Sequence, residues 1–385
     1  MEMNEESILA WNIIEKTNAN LFLTGKAGTG KTTFLKRLKE LSPKRMIVLA
    51  PTGIAAINAG GMTIHSFFQL PFSPYMPGTT FGSGEQKRYQ FSKLKRNIIR
   101  SIDLLVIDEI SMVRSDLLDA VDSVLRQYRK RHDLPFGGVQ LLMIGDLQQL
   151  APVVTPQEEH LLGQHYDTPF FFSSNALKQV GYLTIELKKV YRQQDEQFIS
   201  LLNQIRENKA SEATLQALNQ RYIPNFVPPK EGNYIRLTTH NAPAQYINEQ
   251  QLAALPAQSF SFTADIEGDF PETSYPADFK LTLKPGAQVM FIKNDPQHRF
   301  YNGMIGEVIG VRTDEDGSKI TVRSKDSGEE FDLEKMEWTN AKYTLNEKTK
   351  EIEETVEGKF MQYPLRLAWA ITIHKSQGLT FEHAI

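Results

Sequence analysis

The chain has 385 residues, 41% of them apolar and 23% charged, with a formal net charge of −3 and no cysteine. No apolar run approaches the roughly eighteen residues that a membrane-spanning helix needs. The lack of cysteine leaves no disulfide framework and no thiolate metal site, and the net charge carries no footprint of nucleic acid. The length calls for roughly two to four domains. The acidic start, Met1-Glu2-Met3-Asn4-Glu5-Glu6, has no hydrophobic stretch, so a cytoplasmic location is expected rather than secretion.

Ser7 to Ile14 carries Ile8, Trp11 and Ile14 on one face and reads as a short amphipathic helix. Leu21-Phe22-Leu23-Thr24-Gly25-Lys26-Ala27-Gly28-Thr29-Gly30-Lys31-Thr32-Thr33 then places three apolar residues before G-x-x-x-x-G-K-T, and a helical pattern from Phe34 to Lys39 follows. Strand, glycine-rich loop and helix is the order that a phosphate-binding loop requires. Gly25, Gly28 and Gly30 let successive N–H groups turn inward toward phosphate oxygens. The helix that follows adds its positive dipole end. Lys31 would reach the β- and γ-phosphates of a nucleoside triphosphate, and the Thr32 hydroxyl would hold Mg²⁺. Ala27, Thr29 and Thr33 complete the loop residues around the nucleotide. A glycine-rich turn with a surface lysine is the bland alternative, and the apolar strand before the loop and the helix after it argue against that.

Arg45 to Leu49 is a second apolar run, ending at Ala50-Pro51-Thr52-Gly53, so a βαβ unit with a right-handed crossover is expected. Thr52 and Gly53 fall on the ligand side of such a parallel sheet. Ile54 to Ala59 reads as helix ended by Gly60-Gly61. Met62 to Phe68 contains His65, which alone would read as a structural histidine. Pro71 to Gly84, with Phe72, Tyr75 and Phe81, is a proline- and glycine-rich excursion. Leu104 to Ile107 is a buried strand ending in Asp108-Glu109. Strands also end in Asp for turn reasons. Downstream of a phosphate loop, though, the first acid suits Mg²⁺ held through water, and the second suits polarisation of the attacking water.

Leu117 to Tyr128 is helical. Val139 to Ile144 is a further strand, and it leads into Gly145-Asp146-Leu147-Gln148-Gln149, whose amides could sense a γ-phosphate; a polar loop stopped by Pro152 fits equally. The clusters Lys87, Arg88, Lys93, Lys95, Arg96, Arg100 and Arg126, Arg129, Lys130, Arg131 read as solvated helix faces before binding stripes. Residues 158–175 read as a linking excursion, Tyr182 to Leu187 as strand and Phe198 to Ile205 as helix. Tyr234 to Thr239 begins a second sheet, and Ala242 to Leu255 is helix. From Pro256 to Phe360 helical periodicity gives way to short alternating runs between turns at Pro285-Gly286, Asn302-Gly303 and Asp316-Gly317, the pattern of a small β-barrel. Residues 341–357 read as an exposed charged hairpin, and Leu365 to Ala370 as apolar helix.

In chain order these pieces resemble the petite-integration-frequency (Pif) helicases of superfamily one, the branch that moves 5′ to 3′ along single-stranded DNA. The most specific stretches are Ala50-Pro51-Thr52-Gly53 through His65-Ser66-Phe67-Phe68, Leu187-Lys188-Lys189-Val190-Tyr191-Arg192-Gln193-Gln194-Asp195 through Ile205-Arg206, and Ile373-His374-Lys375-Ser376-Gln377-Gly378-Leu379-Thr380. The resemblance implies an α/β fold of two RecA-like motor domains with parallel sheets and ATP between them, a wedge subdomain and an SH3-like insert. Their expected bounds are 1–61 with 93–186 (first motor), 62–92 (wedge), 187–255 with 361–385 (second motor) and 256–360 (insert). It makes Gln149 a γ-phosphate sensor and Arg192 an arginine finger, with Gln377 and Gly378 also at the nucleotide. It places Thr52, Gly53, Thr63, His65, Thr239, Asn241, His374 and Ser376 along a single strand, with Phe72, Tyr75 and Phe81 as stacking candidates.

A monomer with ATP and Mg²⁺ as cofactors is expected, acting on single-stranded, forked or G-quadruplex DNA and not at a membrane. The superfamily's adenine-reading glutamine is not evident upstream of the phosphate loop, and Asn4 is the candidate in its place. The family's last motif, with a second phosphate-contacting arginine, is expected beyond Ile385. A chain ending there would bind nucleotide and DNA but hydrolyse slowly, as a nucleotide-gated clamp.

Overall fold

A computed structural model describes residues 4–71, 73–77, 91–189, 196–229, 232, 234–297, 299–314, 317–345, 352–377, 379, 381 and 383–385. The chain divides into two compact units, Met1–Gln216 with Ala341–Thr355, and Ala217–Asn340 with Val356–Ile385.

The first unit begins with α1 (Glu5–Lys16), β1 (Leu21–Gly25), α2 (Lys31–Leu41), β2 (Met46–Ala50), α3 (Gly53–Ala59), β3 (Met62–Thr63) and α4 (Ile64–Phe68). It continues with α5 (Lys93–Ser101), β4 (Leu104–Ile107), α6 (Ser115–Arg129), β5 (Gln140–Ile144), α7 (Pro156–Leu162), α8 (Asn175–Val180), β6 (Leu183–Leu187) and α9 (Glu196–Arg206), and α10 (Glu212–Asn219) runs across the division. All six strands lie in one parallel sheet ordered β3-β2-β4-β5-β1-β6.

The unbroken apolar strands have a physical reason. Phe22, Ile47, Leu49, Leu105, Ile107, Leu141 and Met143 face one core, with residues of α4, α5 and α6. Their neighbours Leu21, Leu23, Val48, Leu104, Val106, Leu142 and Ile144 face the other, with residues of α1 and α2. A parallel sheet covered on both faces has no polar side, so alternation disappears from the sequence.

Three rows on α6 pin the surroundings. Asp116 accepts from the Tyr75 N–H and from Arg114, and Asp119 accepts from the Ser174 hydroxyl and the N–H groups of Asn175 and Ala176. Asp122 accepts from the Phe136 N–H and from Arg126. The second basic cluster is built into this framework. Arg129 donates to the Ile99, Arg100 and Ile102 carbonyls at the end of α5, where a cation satisfies orphan acceptors, and Arg126 pairs with Asp122.

The second unit carries β7 (Tyr234–Thr238), α11 (Asn241–Ala254), β8 (Phe260–Thr263), β9 (Asp265–Gly268), β10 (Lys280–Leu283), β11 (Gln288–Phe291), β12 (Ile305–Asp314) and β13 (Gly317–Ser324). Then follow β14 (Glu330–Leu333), β15 (Met336–Leu345), β16 (Ile352–Gln362), β17 (Leu365–Leu367), β18 (Ala370–Thr372), α12 (Ile373–Ser376) and β19 (His383–Ala384), with β15 and β16 running across the division. A five-stranded antiparallel sheet, β14-β13-β12-β11-β17, closes over Phe291, Phe300 and Phe331. Two smaller antiparallel groups, β10-β8 and β15-β16-β9, accompany it, and β18-β7-β19 form a separate parallel trio. Among the described residues no α-helix falls between α11 and α12, as the loss of helical periodicity implied.

Two expectations are corrected. Leu365 to Ala370 is not helix. Leu365 and Leu367 pair with Phe291 and Val289, and Ala370 pairs with Arg236, so two ladders override a good local helix propensity. Residues 158–175 are not all excursion, because α7 starts at Pro156 behind a capping box of Thr155 and Glu158.

Candidate nucleotide and strand site

Sheet order brings the chemistry together. β1, β5 and β4 are neighbours, so the loops leaving their C-terminal ends share one edge, which is where ligands bind in open parallel sheets. The loop after β1 holds Gly25 to Gly30, that after β4 holds Asp108 and Glu109, and that after β5 holds Asp146 to Gln149.

Gly25 has φ +151°, and a Cβ there would lie 2.6 Å from the Leu187 carbonyl oxygen and 2.7 Å from Thr29 Oγ1. Gly28 and Gly30 also have positive φ, and Gly30 caps α2. The Thr29 hydroxyl donates to the Lys26 carbonyl at 2.8 Å, and the Phe34 N–H donates to Gly30 at 2.9 Å. Lys31 Nζ bends back to the Gly25 and Lys26 carbonyls, at 2.5 and 3.0 Å. The exposed Thr32 and Thr33 occupy the first turn of α2, beside the exposed Ala27 of the loop.

Burial pushes Asp108 up to about 6, against the Glu109 N–H it accepts at 3.0 Å and the charge of Lys31. Burial first, then the Asp108 and Asp146 charges, push Glu109 up to about 7, with Lys31 opposing. Lys31 is lowered by burial and by Arg206, against the pull of Asp146, Glu109 and Asp108. Glu109 sits at φ +51°, which ends β4 and turns the backbone out of the strand. An acid poised near neutrality beside a second acid and a cation suits a general base.

The residues fit a nucleotide with a hard cation. The loop is a cradle that a Cβ at Gly25 would fill, and Thr32 and Asp108 offer hard oxygen donors. Among the described residues no group of three or more His, Cys, Asp or Glu side chains is placed to hold a metal ion by itself.

Gln149 lies at this edge, its side-chain amide donating to Asp146 Oδ2 at 3.2 Å. Two residues that the sequence reading gave no role also stand here. Asp146 is 1% exposed, and its Oδ2 accepts from Arg206 Nη1 on α9 at 2.6 Å. That partner is 60 residues away in the chain, so no local pattern could reveal it. Asn4 instead caps α1, its side chain accepting from the Ser7 N–H at 3.0 Å.

On neighbouring strands of the same edge, Thr52 caps α3 and Thr63 caps α4, through the Ala55 and Ser66 N–H groups. Gly53 opens α3, and His65 is half-buried on α4, where burial and Arg114 hold it below its ordinary value. The half-buried Tyr75 ring packs against the first core, and its N–H is tied to Asp116. In the second unit, β7 and β18 are parallel neighbours. Their ends carry Thr239, Asn241 and His374, all exposed, and Ser376, whose hydroxyl donates to Ile373. Gln377 follows α12 in that unit. Phe72, Phe81, Arg192 and Gly378 lie outside the described residues. Among the described residues no helix is long and apolar enough to cross a membrane.

Residues 3–216 match the family model of PIF1-like helicases. The chain is 32% identical to the ATP-dependent DNA helicase Pif1 of Bdellovibrio bacteriovorus over 99% of this chain and 81% of that protein. It is 34% identical to the ATP-dependent DNA helicase PIF1 of Xenopus laevis over 99% of this chain, and spans 56% of that relative's length. The crystal structure of Bacteroides sp Pif1 in complex with ADP-AlF4 matches with a TM-score of 0.90 at 43% identity, covering 100% of this chain and 86% of that one. The Bacteroides Pif1 structure bound to ssDNA matches with a TM-score of 0.65 at 43% identity, covering 100% of this chain and 85% of that one.

Proposed function

The chain belongs to the PIF1-like helicase family, and on that premise we propose that it is an ATP-driven motor moving 5′ to 3′ along single-stranded DNA. It would separate duplex, forked or G-quadruplex structures ahead of it. The observation that supports this most is the meeting of Lys31, Asp108, Glu109, Asp146 and Gln149 at one sheet edge. In this reading Lys31 would balance the β- and γ-phosphates, and Thr32 and Asp108 would hold Mg²⁺. Glu109 takes a proton from the attacking water, Gln149 reads the γ-phosphate and Arg192 acts as finger. When bound, ATP with Mg²⁺ supplies the phosphoryl bond whose cleavage drives the cycle.

Residues 1–61 with 93–186, and 187–255 with 361–385, are proposed as the two motor domains, 62–92 as the wedge and 256–360 as the SH3-like insert. Gln377 and Gly378 are assigned to the nucleotide. Thr52, Gly53, Thr63, His65 and Phe72, and on the other lobe Thr239, Asn241, His374 and Ser376, are assigned to the strand. Hydroxyl and backbone contacts to phosphates carry no base information, so binding without sequence preference is expected. A cytoplasmic monomer completes the proposal.

A duplex with a 5′ single-stranded tail, incubated with protein and ATP, tests it. Separation there and not on a 3′ tail is expected, and Lys31→Ala should abolish both turnover and separation. The opposite tail preference overturns the polarity. Binding of nucleotide and strand without turnover leaves a nucleotide-gated clamp in place of a motor.

A further inference from the structure

Asp146 is more enclosed than either Asp108 or Glu109. Its Oδ1 accepts the Gln148 N–H at 3.2 Å, which satisfies the turn. Its Oδ2 is spent on two side chains, the Gln149 amide at 3.2 Å and Arg206 Nη1 at 2.6 Å. The Arg206 side chain is itself only 18% exposed. Withdrawing such a pair from water is costly, and an apolar pair of similar volume is often as stable. Stability is therefore a weak reason for charges here, and their location supplies a stronger one. The pair joins the loop after β5 to α9 and stands close enough to Lys31 for both charges to act on it. Gly145, just before, must be glycine for the loop to lie flat: a Cβ there would meet Ile110 Cγ2 at 2.9 Å.

We propose that Asp146 and Arg206 are a positioning pair for nucleotide hydrolysis, Asp146 setting the direction of the Gln149 amide and Arg206 locking α9 to the loop after β5. With one N–H of Gln149 held by Asp146, the plane of the amide is set before nucleotide arrives. Removing the carboxylate releases that amide and strands the guanidinium beside Lys31. A displacement of about 1 Å in a group that contacts the reacting phosphate can cost on the order of a hundredfold in rate.

The inference rests on reading Gly25 to Thr33 as the nucleotide loop. Its test uses the full chain with four variants, Asp146→Asn, Arg206→Met, their double and Arg206→Lys, alongside Lys31→Ala. Steady-state ATP turnover, titration with a fluorescent ADP analogue and urea unfolding are measured on each. The expected result is a kcat lower by about tenfold to a hundredfold in each single variant, with the KM for ATP and analogue affinity changed by less than about threefold. The double variant should lose no more than the worse single, because the two act as one unit, and Arg206→Lys should recover part of kcat. Native kcat in Asp146→Asn, losses that multiply in the double, or a kcat that falls only in step with the unfolding midpoint would overturn the pair. Turnover surviving in Lys31→Ala would instead sink the reading of the loop.

Discussion

Replacing Glu109 by Gln should stop ATP turnover and yet stabilise the nucleotide-free protein at alkaline pH. In the fold, burial and the Asp108 charge raise this carboxyl from its ordinary value of 4.5 to about 7. The direction of the effect follows from proton linkage. Below about pH 4.5 the group is protonated whether folded or not, and it costs nothing. Between there and about 7 the unfolded chain releases the proton while the folded chain keeps it, so stability falls as pH rises; above about 7 the whole cost is present. That rise to about 7, at ~1.36 kcal/mol for each pH unit, sets a ceiling of about 3 kcal/mol. Coupling to Asp108 means that part of it belongs to the pair, so about 1–3 kcal/mol is expected for Glu109 alone. Glutamine has nearly the same shape and no charge to desolvate. Urea unfolding of native and Glu109→Gln protein at about pH 4 and about pH 8 reads the difference directly. The variant should match the native protein at the lower pH and exceed it by about 1–3 kcal/mol at the higher. A difference that ignores pH, or a variant weaker at about pH 8, refutes the reasoning. Native kcat/KM should rise with pH through about 7, and the variant should lose at least about a hundredfold in turnover.

Gly25→Ala places a Cβ against the Leu187 carbonyl at a φ that L-residues rarely adopt. It should cost about 1–3 kcal/mol of stability and at least about tenfold in nucleotide affinity, read by analogue titration; unchanged affinity would mean that the loop tolerates a wider turn. Asp119→Ala removes the acceptor for the Ser174 hydroxyl and for the Asn175 and Ala176 N–H groups at the start of α8. A loss of about 2–4 kcal/mol in urea unfolding is expected, with ATP affinity of the folded protein unaltered. A loss below about 0.5 kcal/mol would show that water replaces the carboxylate there.

The phosphate loop, the Asp108-Glu109 strand end and the buried strands of the first sheet were legible because each depends on contiguous residues. Glycines demand positive φ within a few positions of each other, and a strand covered on both faces must be apolar throughout. The end of α3 at Gly60 is local in the same way. Leu365 to Ala370 was misread because its helix propensity is local, whereas its partners, β11 and β7, lie far away in the chain. Arg129 looked like surface charge until the end of α5 arrived beneath it. The Asp146–Arg206 pair was invisible for the same reason. Sequence by itself settles what a residue's near neighbours require, in backbone angles, caps and the apolar character of a buried strand. Which distant charges and rings come to share one low-dielectric edge is decided only when the sheet assembles, because that choice depends on strand order and not on spacing along the chain.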